Sequence, residues 1–302
     1  MAHAKYSGRL ASFTGMLSNF DQGIHPEAQH TGFYNDPDMM VVGMPGLTDA
    51  QNRVHMSLWA MSGAPLLVGA DLTRLSDTTL ATLTNSDVLA VDQDTLGLQA
   101  VKVSETGDGL QVWSKALSTA GERAVLLLNR TGEAASMTVN WSELGLAESS
   151  PASVKDIWAG KNLGAFNSSY STTVPALDAV MVIVHGSEGK MNAYTATGDG
   201  KQSSGGVIVL RGWPVSFTRV ASRDKLARIR IAYTNPDQAP RFAELRVNSR
   251  IATRIAFPST GSAGIVGAIW IEALLDRAGA KNELNFSVES DPGPEIESIA
   301  VE

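Results

Sequence analysis

The chain contains no cysteine. That excludes disulfides, thiolate metal sites and cysteine nucleophiles, and leaves the redox compartment open. Basic charge is scarce as well: 24 Lys and Arg stand against 31 Asp and Glu, for a net charge of −7. Neutralising phosphates needs clustered cations, so nucleic acid is not an expected partner. The densest basic stretch, Arg223 to Arg230, alternates with apolar residues and reads as the wet face of a strand. No apolar run approaches the roughly 18 residues needed to cross a bilayer, so no membrane partner is expected. The opening residues Met1–Ser7 lack the apolar centre of a secretory leader. Phosphate-binding glycine loops, nucleophile elbows and a zinc-type His-Glu-x-x-His are absent from the sequence. His25 and His30, five apart in a polar stretch, are a weak match to metal-ligand spacing.

What is present suits two or three domains. The 302 residues are 43% hydrophobic and 18% charged, as in ordinary globular proteins. Residues 1 to about 98 alternate helical periodicity with short apolar runs, a pattern of α/β layers or barrels. Thr48-Asp49-Ala50-Gln51 is a capping box opening a helix with Val54, Leu58 and Met61 on one face, stopped by Gly63-Ala64-Pro65. On that face Trp59 reads as core and His55 as a satisfied helix histidine. Pro65–Gly69 reads as a strand buried on both faces, and Ser76 starts a helix carrying Leu80 and Leu83.

From Gln99 the periodicity becomes two. Strands are predicted over Gln99–Val103, Leu110–Trp113, Ala124–Leu128, Met137–Trp141 and Ala179–Val184, forming a small antiparallel sandwich. Ser187–Lys190 reads as a linker. A second all-β segment follows, in which Ala227, Ile229, Ile231 and Tyr233 alternate with outward-facing Arg228 and Arg230. Ala243, Leu245 and Val247 repeat the pattern, and Trp270 reads as strand core.

The most specific stretch is Gly32-Phe33-Tyr34-Asn35-Asp36-Pro37-Asp38-Met39-Met40. It is followed in order by Gly46-Leu47-Thr48-Asp49, Ser57-Leu58-Trp59-Ala60, Ala64-Pro65-Leu66-Leu67, Asp71-Leu72, Leu83-Thr84-Asn85 and Val91-Asp92-Gln93-Asp94. This succession resembles glycoside hydrolase family 27 α-galactosidases. Val154–Trp158 and Val174-Pro175-Ala176 resemble the antiparallel domain that follows the barrel in that family. The last segment, with Arg230–Tyr233, Leu245–Asn248, Phe257-Pro258 and Glu295–Val301, resembles carbohydrate-binding modules of the family 35 type.

The resemblance implies a partial (β/α)8 TIM-barrel remnant over 1–98, a β-sandwich over 99–186 and a carbohydrate-binding-module-like β-sandwich over 187–302. It implies an extracellular setting and galactosides or other carbohydrates as partners. Retaining hydrolysis needs two carboxylates roughly 5 Å apart. No part of this chain corresponds to the strand that carries the nucleophile, and the acid/base position falls on Ala11; Asp21 matches an ordinary downstream position. The catalytic pair is therefore expected to be missing. By the same resemblance Asp38 and Met39 line the galactose pocket, Asp38 as hydroxyl acceptor and Met39 as apolar contact. From spacing alone, Asp36 and Asp38 are simply acceptors within a tight turn. In the last segment Trp213, between Gly212 and Pro214, is a candidate sugar platform. Calcium, which such modules usually hold, lacks its early carboxylate in Tyr194–Thr197 although Glu297 remains near the end, so no metal or other cofactor is expected.

With two of eight barrel strands, residues 1–98 are expected to be mobile, aggregating or propped against the following sandwich. The alternative to an enzyme part is a non-catalytic carbohydrate-binding protein.

Overall fold

A computed structural model describes residues 11–29, 34–107, 109–188, 192–195, 201–202, 208–209, 215–222, 226–276, 281–288 and 292–301. The chain divides into two compact units, Met1–His25 with Tyr34–Gly189 and Pro26–Phe33 with Lys190–Glu302.

Local signals set the helices of the first unit. Ser12 caps α1 (Phe13–Gln22) through a hydrogen bond from Gly15 N–H, 3.1 Å. The predicted capping box opens α2 (Asp49–Ser62): Gln51 N–H donates to Thr48 Oγ1, and Thr48 N–H donates back to Gln51 Oε1. Gly63 ends it in the left-handed conformation, φ 58°, which only glycine adopts without a Cβ penalty. Ser76 and Asn85 cap α3 (Asp77–Leu83) and α4 (Ser86–Asp92).

No closed barrel forms among the described residues. The two expected barrel strands reduce to one parallel bridge between Met40 and Val68, held by Met40 N–H to Leu67 C=O and Gly69 N–H to Met40 C=O. Pro65–Gly69 is accordingly not buried on both faces: Leu67 is 60% exposed, and among the described residues no further strand lies alongside it. Leu80 is also exposed, at 52%, since α3 turns Thr79 and Thr82 inward instead.

The β part supplies the missing cover. Strands β1 (Val101–Thr106), β2 (Leu110–Ala116), β3 (Glu122–Asn129), β4 (Ala135–Asn140), β5 (Ala152–Asp156), β6 (Lys161–Phe166), β7 (Ser169–Val174) and β8 (Asp178–His185) form two antiparallel sheets. The larger runs β1-β2-β3-β8-β5-β6; the smaller pairs β4 with β7. The five predicted strands are present, three with longer bounds and two shifted: β1 starts at Val101, after the expected Gln99, and β4 ends at Asn140, before the expected Trp141; β5, β6 and β7 complete the set. Alternation along β3 divides its residues between two cores. Val125 and Leu127 meet Met137, Val139 and Tyr170, while Ala124, Leu126 and Leu128 share a core with Phe20, Leu58 and Met61 of the helices. Phe20 packs edge-on to Trp113, ring centroids 5.0 Å apart. The large sheet is thus covered on both faces, and the helical residues are propped against the sandwich.

Polar ties reinforce this junction. Trp158 Nε1–H donates to Ser57 Oγ, Ala100 N–H to Met61 C=O, and Arg130 pairs with both carboxylate oxygens of Asp21. Buried Lys115 donates from Nζ to Ala60 C=O in the last turn of α2, a favourable place for a cation. Burial pushes the Asp92 carboxyl up to about 7 against the pull of Lys115, and pushes Lys115 down to about 8 against the pull of Asp92 and Asp94. Part of the expected linker is also pinned: Glu188 pairs with buried Arg123, N to O 2.8 Å.

In the second unit, β9 (Asn192–Thr195), β10 (Lys201–Gln202), β11 (Ile208–Val209), β13 (Leu226–Thr234), β16 (Gly267–Leu274) and β18 (Glu295–Val301) make one sheet. The other runs β12 (Val215–Val220), β17 (Asn282–Ser287), β14 (Arg241–Val247), β15 (Arg250–Phe257). Ile229, Ile231, Leu245, Phe257 and Phe286 fill the core between them. Two expectations change here. Arg228 is not on a wet face: it is 7% exposed, opposite buried Glu272 with 3.9 Å from Nε to Oε1. Trp270 is half-buried beside Arg230 in register rather than core.

Two outcomes follow from the first unit. Replacing Leu67 and Leu80 together by Lys should lower self-association of the purified chain in light scattering, since both are apolar and exposed; unchanged association would show that they play no part. The raised Asp92 pKa means stability present below about pH 4 and lost as pH rises toward 7. Buried His55, lowered to about 3, acts oppositely from pH 3 to 6.5. The difference in Tm between Asp92→Asn and the unmodified chain should therefore increase from pH 4 to 7, and a flat difference would contradict the assignment.

Candidate functional site

The site is built on the turn Asn35–Met39. Pro37 is buried and brings no N–H, and Asp36 Oδ1 accepts from Asp38 N–H at 2.9 Å, so Asp36 is structural. Asp38 adopts φ 81°, a left-handed conformation costing a non-glycine residue roughly 1–2 kcal/mol. Such strain persists where the surroundings over-determine it. Asp38 Oδ1 accepts from Met39 N–H at 2.7 Å, and Asp38 C=O accepts from Trp59 Nε1–H at 2.9 Å. The carboxylate is exposed, and its Oδ2 has no hydrogen-bond partner among the described residues.

Met39 is half-buried and lies against Gly69, where an added Cβ would meet Met39 Sδ at 2.8 Å and Met40 C=O at 3.1 Å. The predicted pair Asp38 and Met39 thus sits at the start of the one parallel bridge, with one free anionic oxygen beside an apolar thioether. That combination suits a sugar hydroxyl next to the apolar face of a ring.

Behind the turn stands α2. Trp59 is 1% exposed and core, as predicted, but its indole N–H also serves the turn. His55 packs edge-on against it at 4.1 Å. Contrary to expectation His55 is not satisfied: neither ring nitrogen has a hydrogen-bond partner among the described residues, and burial lowers its pKa to about 3, so it stays neutral.

Ala11 donates its N–H to Pro45 C=O and presses on Gly46, where a Cβ would meet Ala11 C=O at 2.1 Å. Its side chain is a methyl group, which neither donates a proton nor carries charge. Asp21 is committed to Arg130, and Asp71 to Thr73, whose hydroxyl and N–H hold its carboxyl below the usual range. Trp213 and His30 lie outside the described residues, as do Ala196 and Thr197 of the early calcium position. Among the described residues, no three His, Cys, Asp or Glu side chains form a metal-holding group.

Sequence reasoning missed Gln99. This residue is 1% exposed; its Oε1 accepts from His25 N–H (2.7 Å) and Asn35 Nδ2 (3.3 Å), and its Nε2 donates to Gly23 C=O (2.8 Å). It ties the end of α1 and the Asp38 turn to the start of the sandwich. Its partners are 64 to 76 residues away, so no local signal marked it.

Comparison with known proteins gives three matches along the chain. Residues 10–94 match the family model described as "Alpha galactosidase A", and residues 107–184 match "Alpha galactosidase C-terminal beta sandwich domain". These two stretches belong to α-galactosidase-family domains. Residues 215–301 match "Alpha-galactosidase, CBM13 domain", so the family's terminal module bears the type 13 designation where the strand pattern resembles type 35. Among curated relatives of the family, the α-galactosidase of Oryza sativa is 41% identical over 153 residues, which are 51% of this chain and 36% of that protein. The α-galactosidase of Cyamopsis tetragonoloba is 44% identical over 127 residues, 42% of this chain and 30% of that protein. The crystal structure of α-galactosidase I from Mortierella vinacea is 32% identical with a TM-score of 0.50, covering 52% of this chain and 41% of that one. The chain spans about a third of the length of these curated relatives.

Gln99→Leu should destabilise the first unit by about 2–3 kcal/mol in urea unfolding, because it strands buried amide partners. A loss under about 0.5 kcal/mol would show that water replaces the amide.

Proposed function

We propose that this chain carries the galactose-facing rim of an α-galactosidase without its catalytic carboxylates, so that alone it binds terminal α-D-galactosyl groups and does not hydrolyse them. The observation that carries this reading is the Asp38 turn: a strained residue held by three hydrogen bonds, one carboxylate oxygen left free, inside family-matched sequence. Retaining chemistry proceeds by attack of one carboxylate on the anomeric carbon while a second donates a proton to the departing oxygen. Ala11 supplies no such proton, and this reading assigns the nucleophile to no residue of the chain. Asp38 Oδ2 would accept from a sugar hydroxyl and Met39 would cover an apolar ring face, which is binding and orientation only. An extracellular setting belongs to the same reading.

The match of residues 215–301 to a carbohydrate-binding module favours a second reading, in which that unit binds sugar on its own, with Trp213 as a stacking platform.

The test is hydrolysis of nitrophenyl α-D-galactoside by the purified chain, together with galactose binding by calorimetry. The expected result is no turnover and measurable binding that weakens about tenfold in Asp38→Ala, the value of one charge-assisted hydrogen bond. Turnover that vanishes in Asp38→Ala would overturn the non-catalytic assignment, and binding unaffected by that substitution would move the sugar site to the terminal module.

A further inference from the structure

We propose that Trp59 is the positioning residue of the sugar site: its indole N–H fixes the Asp38 peptide in the left-handed conformation that leaves one carboxylate oxygen free for ligand. The inference rests on the reading of Asp38 given above and adds a residue that does not itself touch sugar.

Four observations support it. Asp38 has φ 81°, which an aspartate adopts only at a cost. Its backbone N–H is held by Asp36 Oδ1 and its carbonyl by Trp59 Nε1–H, so both neighbouring peptide planes are fixed. Trp59 is 1% exposed, on a helix capped at both ends, so its donor is rigidly placed. His55 packs its ring edge-on against the indole and makes no hydrogen bond of its own, so it adds packing without competing for the N–H. Rotation of the Asp38–Met39 peptide would break the Trp59 bond and carry the Asp38 side chain and the Met39 contact with Gly69 out of register together.

A filler role for Trp59 and a positioning role predict different outcomes. Trp59→Phe keeps an aromatic ring and removes only the donor. Galactose affinity should fall at least tenfold in Trp59→Phe. Trp141→Phe, which removes the equally buried indole that donates to Phe166 C=O in the same unit, should leave affinity within twofold. A stability cycle adds a readout independent of ligand. Glycine takes positive φ freely and keeps the carbonyl that Trp59 holds but has no strain to release, so in an Asp38→Gly background the Tm loss caused by Trp59→Phe should grow.

Equal affinity in Trp59→Phe and the unmodified chain, or a Tm loss that is the same in both backgrounds of the cycle, would overturn the inference while leaving the galactose-rim reading intact. Failure of the unmodified chain to bind galactose would overturn both. Should Trp59→Phe not fold, the Trp59 indole N–H signal of the unmodified chain decides by NMR: protection from solvent exchange and a shift on adding galactose are expected, and an unmoved signal would overturn the proposal.

Discussion

Burial of α2 against the large sheet is the constraint on which the first unit depends. A helix that completes a barrel normally rests on parallel strands beneath it; among the described residues, one bridge between Met40 and Val68 is all that forms. The compensation comes from the other side. Leu58 and Met61 share a core with Leu126, Leu128 and Met181, and Lys115, Ala100 and Trp158 each hydrogen-bond to α2. Helical and sandwich residues therefore form a single compact unit.

That anchoring reaches the candidate site through Trp59. The helix rests on the sandwich, Trp59 projects from the helix, and its donor holds the Asp38 carbonyl. Gln99 adds a second tie from the start of the sandwich to Asn35 and to the end of α1. Strain at Asp38 is sustained by these elements rather than by the turn alone, which is how a single exposed carboxylate acquires a defined direction.

Much of this was legible in the sequence where the causes are local. The Thr48–Gln51 capping box and Gly63 placed α2 within a residue, and strands such as β4 and β14 alternate in burial with period two, whereas β2 and β3 are buried almost throughout. The Asp38 turn was legible by its Asn-Asp-Pro-Asp stretch, but its left-handed φ was not. What failed depended on neighbours. Pro65–Gly69 has the composition of a doubly buried strand, yet composition does not say whether adjoining strands are there. Arg228 reads as solvated until Glu272 is set opposite it across β16. Gln99 and the Trp59 donor act through partners distant in sequence, and an isolated glutamine or tryptophan carries no mark of that role.

The central claim, that α2 is held by the sandwich and through it holds the site, is tested most directly by native-state hydrogen exchange. Amides of α2 from Val54 to Met61 should exchange with the same free energy as those of β3, because both open only when the whole unit unfolds. Exchange of α2 through a separate opening of much lower free energy, while β3 stays protected, would contradict the account.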